Sequence, residues 1–269
     1  MKTILAIQRA PRYSPNSVAK DAAILDSVCR RLRERGDKVV VSAEDNCIPL
    51  LGEVEMILSM ARHDRTLAAL ADRQREGVRI VNRPEAVSLC CRRSLLNSVL
   101  LEADVPLAPA EGEHGYWVKR ADGVAEGPED VVFAADSRQA VEAELKMRAR
   151  GAQEVLKCAH LPGDLVKFNG VHATGFFHFC YPGDDGQWKF GDERRNGRPH
   201  HYPFDSVALH QTAERAAAAA GIEIYGGDCI VDSTGRTTLI DFNDWPSFSR
   251  CREEAAEAIV KLITTTDEQ

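Results

Sequence analysis

The segment Gly227-Asp228-Cys229-Ile230-Val231-Asp232-Ser233-Thr234-Gly235-Arg236-Thr237-Thr238-Leu239-Ile240-Asp241-Phe242-Asn243-Asp244 limits the chain's options more than any other. Two β-rich runs flank a Ser-Thr-Gly turn, the pattern of a hairpin. Hairpin pairing brings the two outer ends together, so Asp228 is expected to face Asp241 and Asn243. Oxygen-only ligands gathered in this way suit Mg²⁺, which takes one or two carboxylates and fills its remaining positions with water and phosphate oxygens. The competing reading is an acidic hairpin mouth in solvent, and the residues alone leave both open.

The first hundred residues have another rhythm. Strands are expected over 3–7, 38–42, 56–60 and 78–81, with helices over 17–35 and 64–75 closed by Gly36 and Gly77. Alternation of this kind implies a parallel sheet that receives ligands at the carboxyl ends of its strands. Arginines follow those ends: Arg9 and Arg12 after the first strand, Arg62 after the third, Arg83 after the fourth. Four guanidinium groups at one sheet edge are expected to share a crevice for a carboxylate or phosphate, which makes a small acidic substrate the natural occupant. Ordinary loop arginines are the competing reading.

One helix over 84–103 is expected to lead through Asp104-Val105-Pro106-Leu107-Ala108-Pro109 into a region of hairpins. There the pattern gives a strand over 116–120, a helix over 137–150 capped by Asp136 or Ser137, and strands over 154–158, 165–171 and 175–180. A turn at 182–186, a helix over 206–220, the acidic hairpin and a helix over 250–264 complete the chain. The expected fold class is an α/β domain over 1–105 followed by an α+β domain over 106–269, rich in antiparallel pairs.

Composition narrows the function. A net charge of −7 without a basic tract argues against nucleic acid as a partner. No apolar run reaches membrane-spanning length, and the opening stretch from Met1 to Ile7 is too short for a leader. Eight cysteines, without a CxxC pair, read as reduced packing thiols, with Cys90-Cys91 on a helix. A cytoplasmic protein without membrane or nucleic-acid partners is expected, and a homodimer is compatible with this reading.

The order of these pieces resembles the ATP-grasp superfamily across essentially the whole chain. The most specific match is Asp241-Phe242-Asn243-Asp244-Trp245-Pro246-Ser247-Phe248, since the family ends its second metal strand in Asp-x-Asn followed by a proline. In subtype the chain is similar to the ligases typified by glutathione synthetase and the ribosomal-protein glutamate ligases, with inositol polyphosphate kinases as further relatives. The resemblance implies ATP bound between two antiparallel sheets, with Asp228, Asp241 and Asn243 as magnesium ligands. It implies that Lys119 reaches the α- and β-phosphates, that Glu154, Val155 and Leu156 form the hinge that reads adenine, and that Asp164 accepts from ribose hydroxyls. Lys167 would face the transferred phosphoryl group, and Ser247, Ser249 and Arg250 lie where relatives contact substrate. Two departures stand out. Arg92-Arg93 replaces a lysine near the start of the linking helix, so Arg93 is the expected phosphate contact there. The flap Ala121-Asp122-Gly123-Val124-Ala125-Glu126-Gly127 has only two glycines.

The implied activity is an ATP- and Mg²⁺-dependent ligase that joins a carboxylate to an amine or thiol through an acylphosphate. A small-molecule kinase of the inositol-phosphate-kinase type and a nucleotide-binding module without catalysis are the other readings. Ser/His/Asp and Cys/His constellations are not evident. His200-His201, beside Arg194, Arg195 and Arg198, reads either as a cover for the site or as a solvated loop.

Overall fold

The computed structural model describes residues 1–14, 16–123, 127–182, 184 and 195–265. The strands β1 (Thr3–Gln8), β2 (Lys38–Ala43), β3 (Met56–Ser59) and β4 (Arg79–Val81) pair in parallel in the order β2-β1-β3-β4. Residues Ile4 to Ile7 of β1 and Met56 to Ser59 of β3 are all buried, as a sheet covered on both faces requires. The helices α1 (Val18–Glu34) and α2 (Asp64–Arg75) supply that cover. The strand order reverses between β1 and β3, so the crevice of this sheet opens between their carboxyl ends.

The single helix expected over 84–103 is two, α3 (Pro84–Cys91) and α4 (Arg93–Glu102). They part at Arg92, whose φ of −106° and ψ of 87° are not helical. Neither glycine nor proline marks this break, so local signals could not reveal it. Its effect is to set Arg93 at the first position of α4.

Two antiparallel sheets follow. One has the order β6-β5-β7, from β5 (Tyr116–Arg120), β6 (Val131–Ala134) and β7 (Val155–Ala159). The short β6 escaped the sequence reading because four residues carry little period-2 signal. The helix α5 (Ser137–Ala149) covers this sheet, and the Asp136 carboxylate caps it by accepting from the Gln139 amide at 2.8 Å. The second has the order β11-β10-β8-β9, from β8 (Asp164–Val171), β9 (Phe176–Cys180), β10 (Ile224–Val231) and β11 (Thr237–Asp244). The helices α6 (Ser206–Ala220) and α7 (Arg252–Thr265) pack against its strands or the parallel sheet's helices. Part of the expected turn at 182–186 lies outside the described residues. Among the described residues no helix is long and apolar enough to cross a membrane.

The parallel sheet and the four-stranded antiparallel sheet share their cores. Leu5, Ile57 and Leu70 belong with Phe168, Leu209 and Tyr225 in one apolar cluster, and Ile24 and Leu58 with Ile224, Trp245 and Ile259 in another. The small sheet keeps its own core around Val118, Ala140 and Met147. Polar contacts reinforce the first junction: buried Asn82 accepts from the Glu223 and Ile224 amides and donates to the Ile224 carbonyl at 2.8 Å.

One ionic cluster in this sheet gives a pH prediction. Glu214 of α6 accepts from the Tyr225 hydroxyl at 2.7 Å and the Ala173 amide at 3.1 Å, and lies 2.8 Å from His172 Nδ1. Burial works to raise the Glu214 carboxyl, but His172, Tyr225 and the Ala173 amide outweigh it and hold the group at about 2. The pairing with Glu214 raises His172 against burial. A depressed carboxyl contributes stability above its unfolded value of about 4.3 and loses it as pH falls. A raised imidazole contributes fully below about 6.5 and loses its share as pH rises through the folded value. Glu214→Gln should therefore cost most between these limits, about 2 kcal/mol. Urea unfolding of both proteins across pH should show the gap closing at acid pH and narrowing, by the His172 share, at alkaline pH.

Candidate functional site

The site grows from register. Asp228 pairs with Asp241 across the hairpin, and Lys167 of β8 pairs with Asp228 on its other side. Asn243 lies two residues beyond Asp241 and so shares its face. Lys167 Nζ is 3.2 Å from Asp228 Oδ2, and Asn243 Nδ2 is 3.4 Å from Asp241 Oδ2. All four side chains are half-buried. Gly227 makes the close packing beside this row achievable: a Cβ there would lie 2.4 Å from the Phe168 ring and 2.5 Å from the Asp241 carbonyl oxygen.

The hairpin carries an irregularity that the sequence did not reveal. Asp228 pairs with Asp241 but Cys229 with Leu239, which leaves Ile240 as an extra residue on β11. Lys119 Nζ donates to the Ile240 carbonyl at 2.8 Å. The strand lysine of the small sheet thus reaches β11 of the other sheet. Arg93 lines the same cleft with Leu96, Leu156 and Asp241, and its Nη1 donates to the Arg120 carbonyl at 3.1 Å.

β7 forms one edge of the small sheet, where the Ala159 amide donates to the Pro109 carbonyl at 2.7 Å. The Ala121 amide donates to the Glu154 carbonyl, and Leu156 sits opposite Lys119 two residues on, so Glu154 and Leu156 turn their backbone groups toward β5. Alternation then directs the backbone groups of Val155 and Lys157 to the open edge. Of the expected hinge residues, Val155 offers its main chain there, Leu156 lines the cleft with its side chain, and the exposed Glu154 precedes the strand. Lys157 was not foreseen, because strand parity depends on the pairing partner.

Two expectations are corrected. The Asp164 side chain is 0% exposed. It accepts from the His200 amide at 2.7 Å and the Tyr202 amide at 3.0 Å, so it fastens the segment just before α6 and is closed to a ribose. The arginines do not form a common crevice for a ligand. Arg9 and Arg62 do converge at the carboxyl ends of β1 and β3, but Asp244 fills the space between them. Asp244 is 3.1 Å from Arg9 Nη2 and 2.5 Å from Arg62 Nη2, and its side chain is 1% exposed. Arg12 instead meets Tyr13 and His63 at the surface, and Arg83 is half exposed beside Glu85. Strand alternation sets Asp244 on the face opposite Asn243, toward the buried junction, and a turn follows. Trp245 and Phe248 adopt φ values of 38° and 45°, a strained region for large residues, and both are buried, which offsets the strain.

Arg250 is exposed and donates from Nη1 to the Tyr181 carbonyl at 3.1 Å. Arg195 stacks over the Phe133 ring at 3.5 Å, and His200 stacks on Tyr202. Arg194 and flap residues 124–126 lie outside the described residues.

No protein-family model matches the chain, and no curated protein matches it by sequence. Solved structures do match it. D-alanyl-alanine synthetase A from Vibrio cholerae O1 biovar eltor str. N16961 superposes with a TM-score of 0.68 at 10% identity, over 98% of each chain. The RimK domain protein ATP-grasp from Sphaerobacter thermophilus DSM 20745 gives 0.65 at 17% identity, over 97% of this chain and 99% of the other. D-cycloserine synthetase DcsG gives 0.66 at 14% identity, over 97% and 100%. The chain has the ATP-grasp fold.

Within this ATP-grasp fold the donor set of the hairpin can be judged against magnesium. Among the described residues no group of three or more histidine, cysteine, aspartate or glutamate side chains is placed to hold a metal. Two carboxylates and an amide oxygen form a hard, incomplete set, which fits an ion that keeps water and phosphate oxygens in its remaining positions. One polar neighbour was missed. Asn169 sits two residues past Lys167 on the same strand face, opposite Gly226, which itself pairs with Asn243. Its signal was the glycine, whose lack of a side chain leaves room between the two amides.

Lys119 gives a direct test of the cleft. Lys119→Met keeps length and apolar bulk but loses the charge. If the cleft takes ATP, its affinity should fall by about 1–3 kcal/mol, the scale of a charge-assisted hydrogen bond with its partner left unpaired. Titration calorimetry would show this, and equal affinity in the variant would return Lys119 to a purely structural contact with Ile240.

Proposed function

We propose that this chain is an ATP- and Mg²⁺-dependent ligase that joins a carboxylate to an amine or thiol through an acylphosphate. The observation that carries the reading is one cleft with cationic Lys119 and Arg93 on its walls and the row Lys167, Asp228, Asp241, Asn243 along the adjacent strands. The fold neighbours support it: besides the synthetases above, a D-alanine–D-alanine ligase from Bacillus anthracis complexed with ATP superposes with a TM-score of 0.65 at 10% identity.

In this reading residues 1–105 bind the acceptor side and residues 106–269 bind the nucleotide. Asp228, Asp241 and Asn243 would hold magnesium, which would supply charge neutralisation at the β- and γ-phosphates. Lys119 and Arg93 hold the nucleotide phosphates, the open main-chain edge of β7 reads adenine, and Lys167 stabilises charge on the transferred group. A substrate carboxylate oxygen attacks the γ-phosphorus and ADP leaves. The nucleophile then adds to the acyl carbon and expels phosphate, with Arg250 at the substrate side. Positioning and charge stabilisation carry the barrier reduction, so no side-chain acid–base pair is required. The substrates are small molecules in the cytoplasm.

An ADP-release screen over paired acids and amines tests this, with Asp241→Ala as blank. ADP released together with a condensed product is the expected result. A stable phosphorylated product without condensation would make the protein a kinase. Protection by ATP against heat without any turnover would make it a binding module.

A further inference from the structure

Arg9 and Arg62 look equivalent in sequence, each following a strand of the parallel sheet, yet their donors are spent differently. Arg9 directs Nε to the Met60 carbonyl at 3.4 Å, Nη1 to Asp21 at 3.3 Å, and Nη2 to Asp244 and the Trp245 carbonyl at 3.1 and 3.0 Å. It is a structural tie between the sheets. Arg62 gives Asp244 its Nε and Nη2 edge, at 3.4 and 2.5 Å, and Nη1 takes no part in that pair. Its guanidinium also lines a second cleft, with Cys90, Cys91, Arg93, Asp241 and Asn243.

The backbone of Arg62 is fixed as firmly as its side chain. Glu44, 1% exposed, accepts from the Arg62 amide at 2.7 Å and the His63 amide at 2.6 Å through Oε1, and from the Ala10 amide at 3.0 Å through Oε2. One buried carboxylate therefore ties together the loops that follow β1 and β3. The result is a guanidinium that enters the cleft beside Asn243 already oriented and desolvated, which lowers the cost of receiving an anionic partner.

We propose that Arg62 receives a second, non-reacting carboxylate of the acid substrate, so that the enzyme takes compact dicarboxylates, acidic amino acids included, over simple monocarboxylates. This rests on the ligase reading above. Arg93 serves the nucleotide end of the same cleft, and Asp244 and Glu44 act as positioning residues for Arg62.

Hydroxylamine provides the test without knowledge of the natural nucleophile, because its nitrogen attacks the acyl carbon of an acylphosphate, phosphate leaves and a hydroxamate remains. Wild-type protein with MgATP and hydroxylamine is assayed on succinate, malonate, L-aspartate and L-glutamate against propionate and butyrate. The KM for dicarboxylates should be lower by about tenfold or more, the worth of one charge-assisted hydrogen bond. Arg62→Gln should erase that gap with the KM for ATP unchanged. Arg62→Lys, which keeps Asp244 paired but shortens the reach, should do the same with Tm near wild type. Arg9→Gln should lower Tm and keep the gap. Equal losses on both acid classes, or no loss, would overturn the assignment. If no acid gives hydroxamate or ADP, the ligase reading fails and thermal shifts with succinate and ATP decide the Arg62 assignment. A rise in Tm for wild type and none for Arg62→Lys upholds it, and equal behaviour of the two proteins overturns it.

Discussion

Asp241→Asn and Asn243→Ala are each expected to abolish MgATP turnover, by roughly a hundredfold or more, since partners one shell further from a metal are already worth about 10–100-fold. The fold should survive both changes. Asp241 and Asn243 are half-buried on a strand face that opens into a cleft, and neither belongs to the apolar clusters of the sheet. Asp241→Asn is the sharper change, because it keeps the shape of the side chain and removes the charge that a divalent ion requires. Steady-state ADP release and far-UV circular dichroism on the same preparations separate loss of chemistry from loss of fold. Wild-type turnover in either variant, or turnover that is indifferent to chelator, would remove magnesium from the hairpin.

Asp244→Ala is expected to have the largest effect on stability of any single substitution at the site, about 3–5 kcal/mol, the cost of breaking a buried ion pair from one side. Its carboxylate lies between two guanidinium groups whose side chains are 7% and 12% exposed. Burial, and then Arg62, already press Arg9 below its ordinary value. Without Asp244, Arg62 would lose its carboxylate partner, Arg9 would keep only Asp21, and the two cations would face each other across the gap. Their repulsion would open the junction between the parallel sheet and β11. Thermal unfolding should fall by about 10 °C for a chain of this size. A fall of one or two degrees would mean that water reaches the pair and that the junction rests on its apolar clusters alone.

Both predictions concern neighbours in sequence, Asn243 and Asp244, that differ completely in role. On a strand, adjacent side chains point to opposite faces. One joins the cleft and the other the buried junction, and the family-like motif alone does not separate these roles.

Much of the architecture was legible from local pattern. The shift from strand–helix alternation to hairpins marked the change from a parallel to antiparallel sheets, and the strand around Lys119 and the helix from Ser206 to Ala220 have the bounds that their periodicity indicates. The pairing of Asp228 with Asp241 followed from a turn that joins two β-rich runs. Such features depend on neighbours within a few residues, where turn chemistry and the 2.0 and 3.6 periods act directly.

What local pattern left undecided were the long-range partners. Arg9 and Arg62 announced an anion site, but the anion between them, Asp244, comes from the chain itself, 235 and 182 residues away, and of the two only Arg62 also lines a cleft. Asp164 had the character of a ligand residue, and the loop that consumes it lies 36 residues on. The helix break at Arg92, the extra residue at Ile240 and the outward turn of Val155 and Lys157 likewise have no local signature, because each is set by what packs or pairs against it. The chain itself determined which elements form and which charges it carries to the carboxyl edge and the hairpin. Only the docking of the sheets decided which of those charges are neutralised internally and which are left facing the cleft, since a buried carboxylate and a bound ligand satisfy a guanidinium by the same electrostatics.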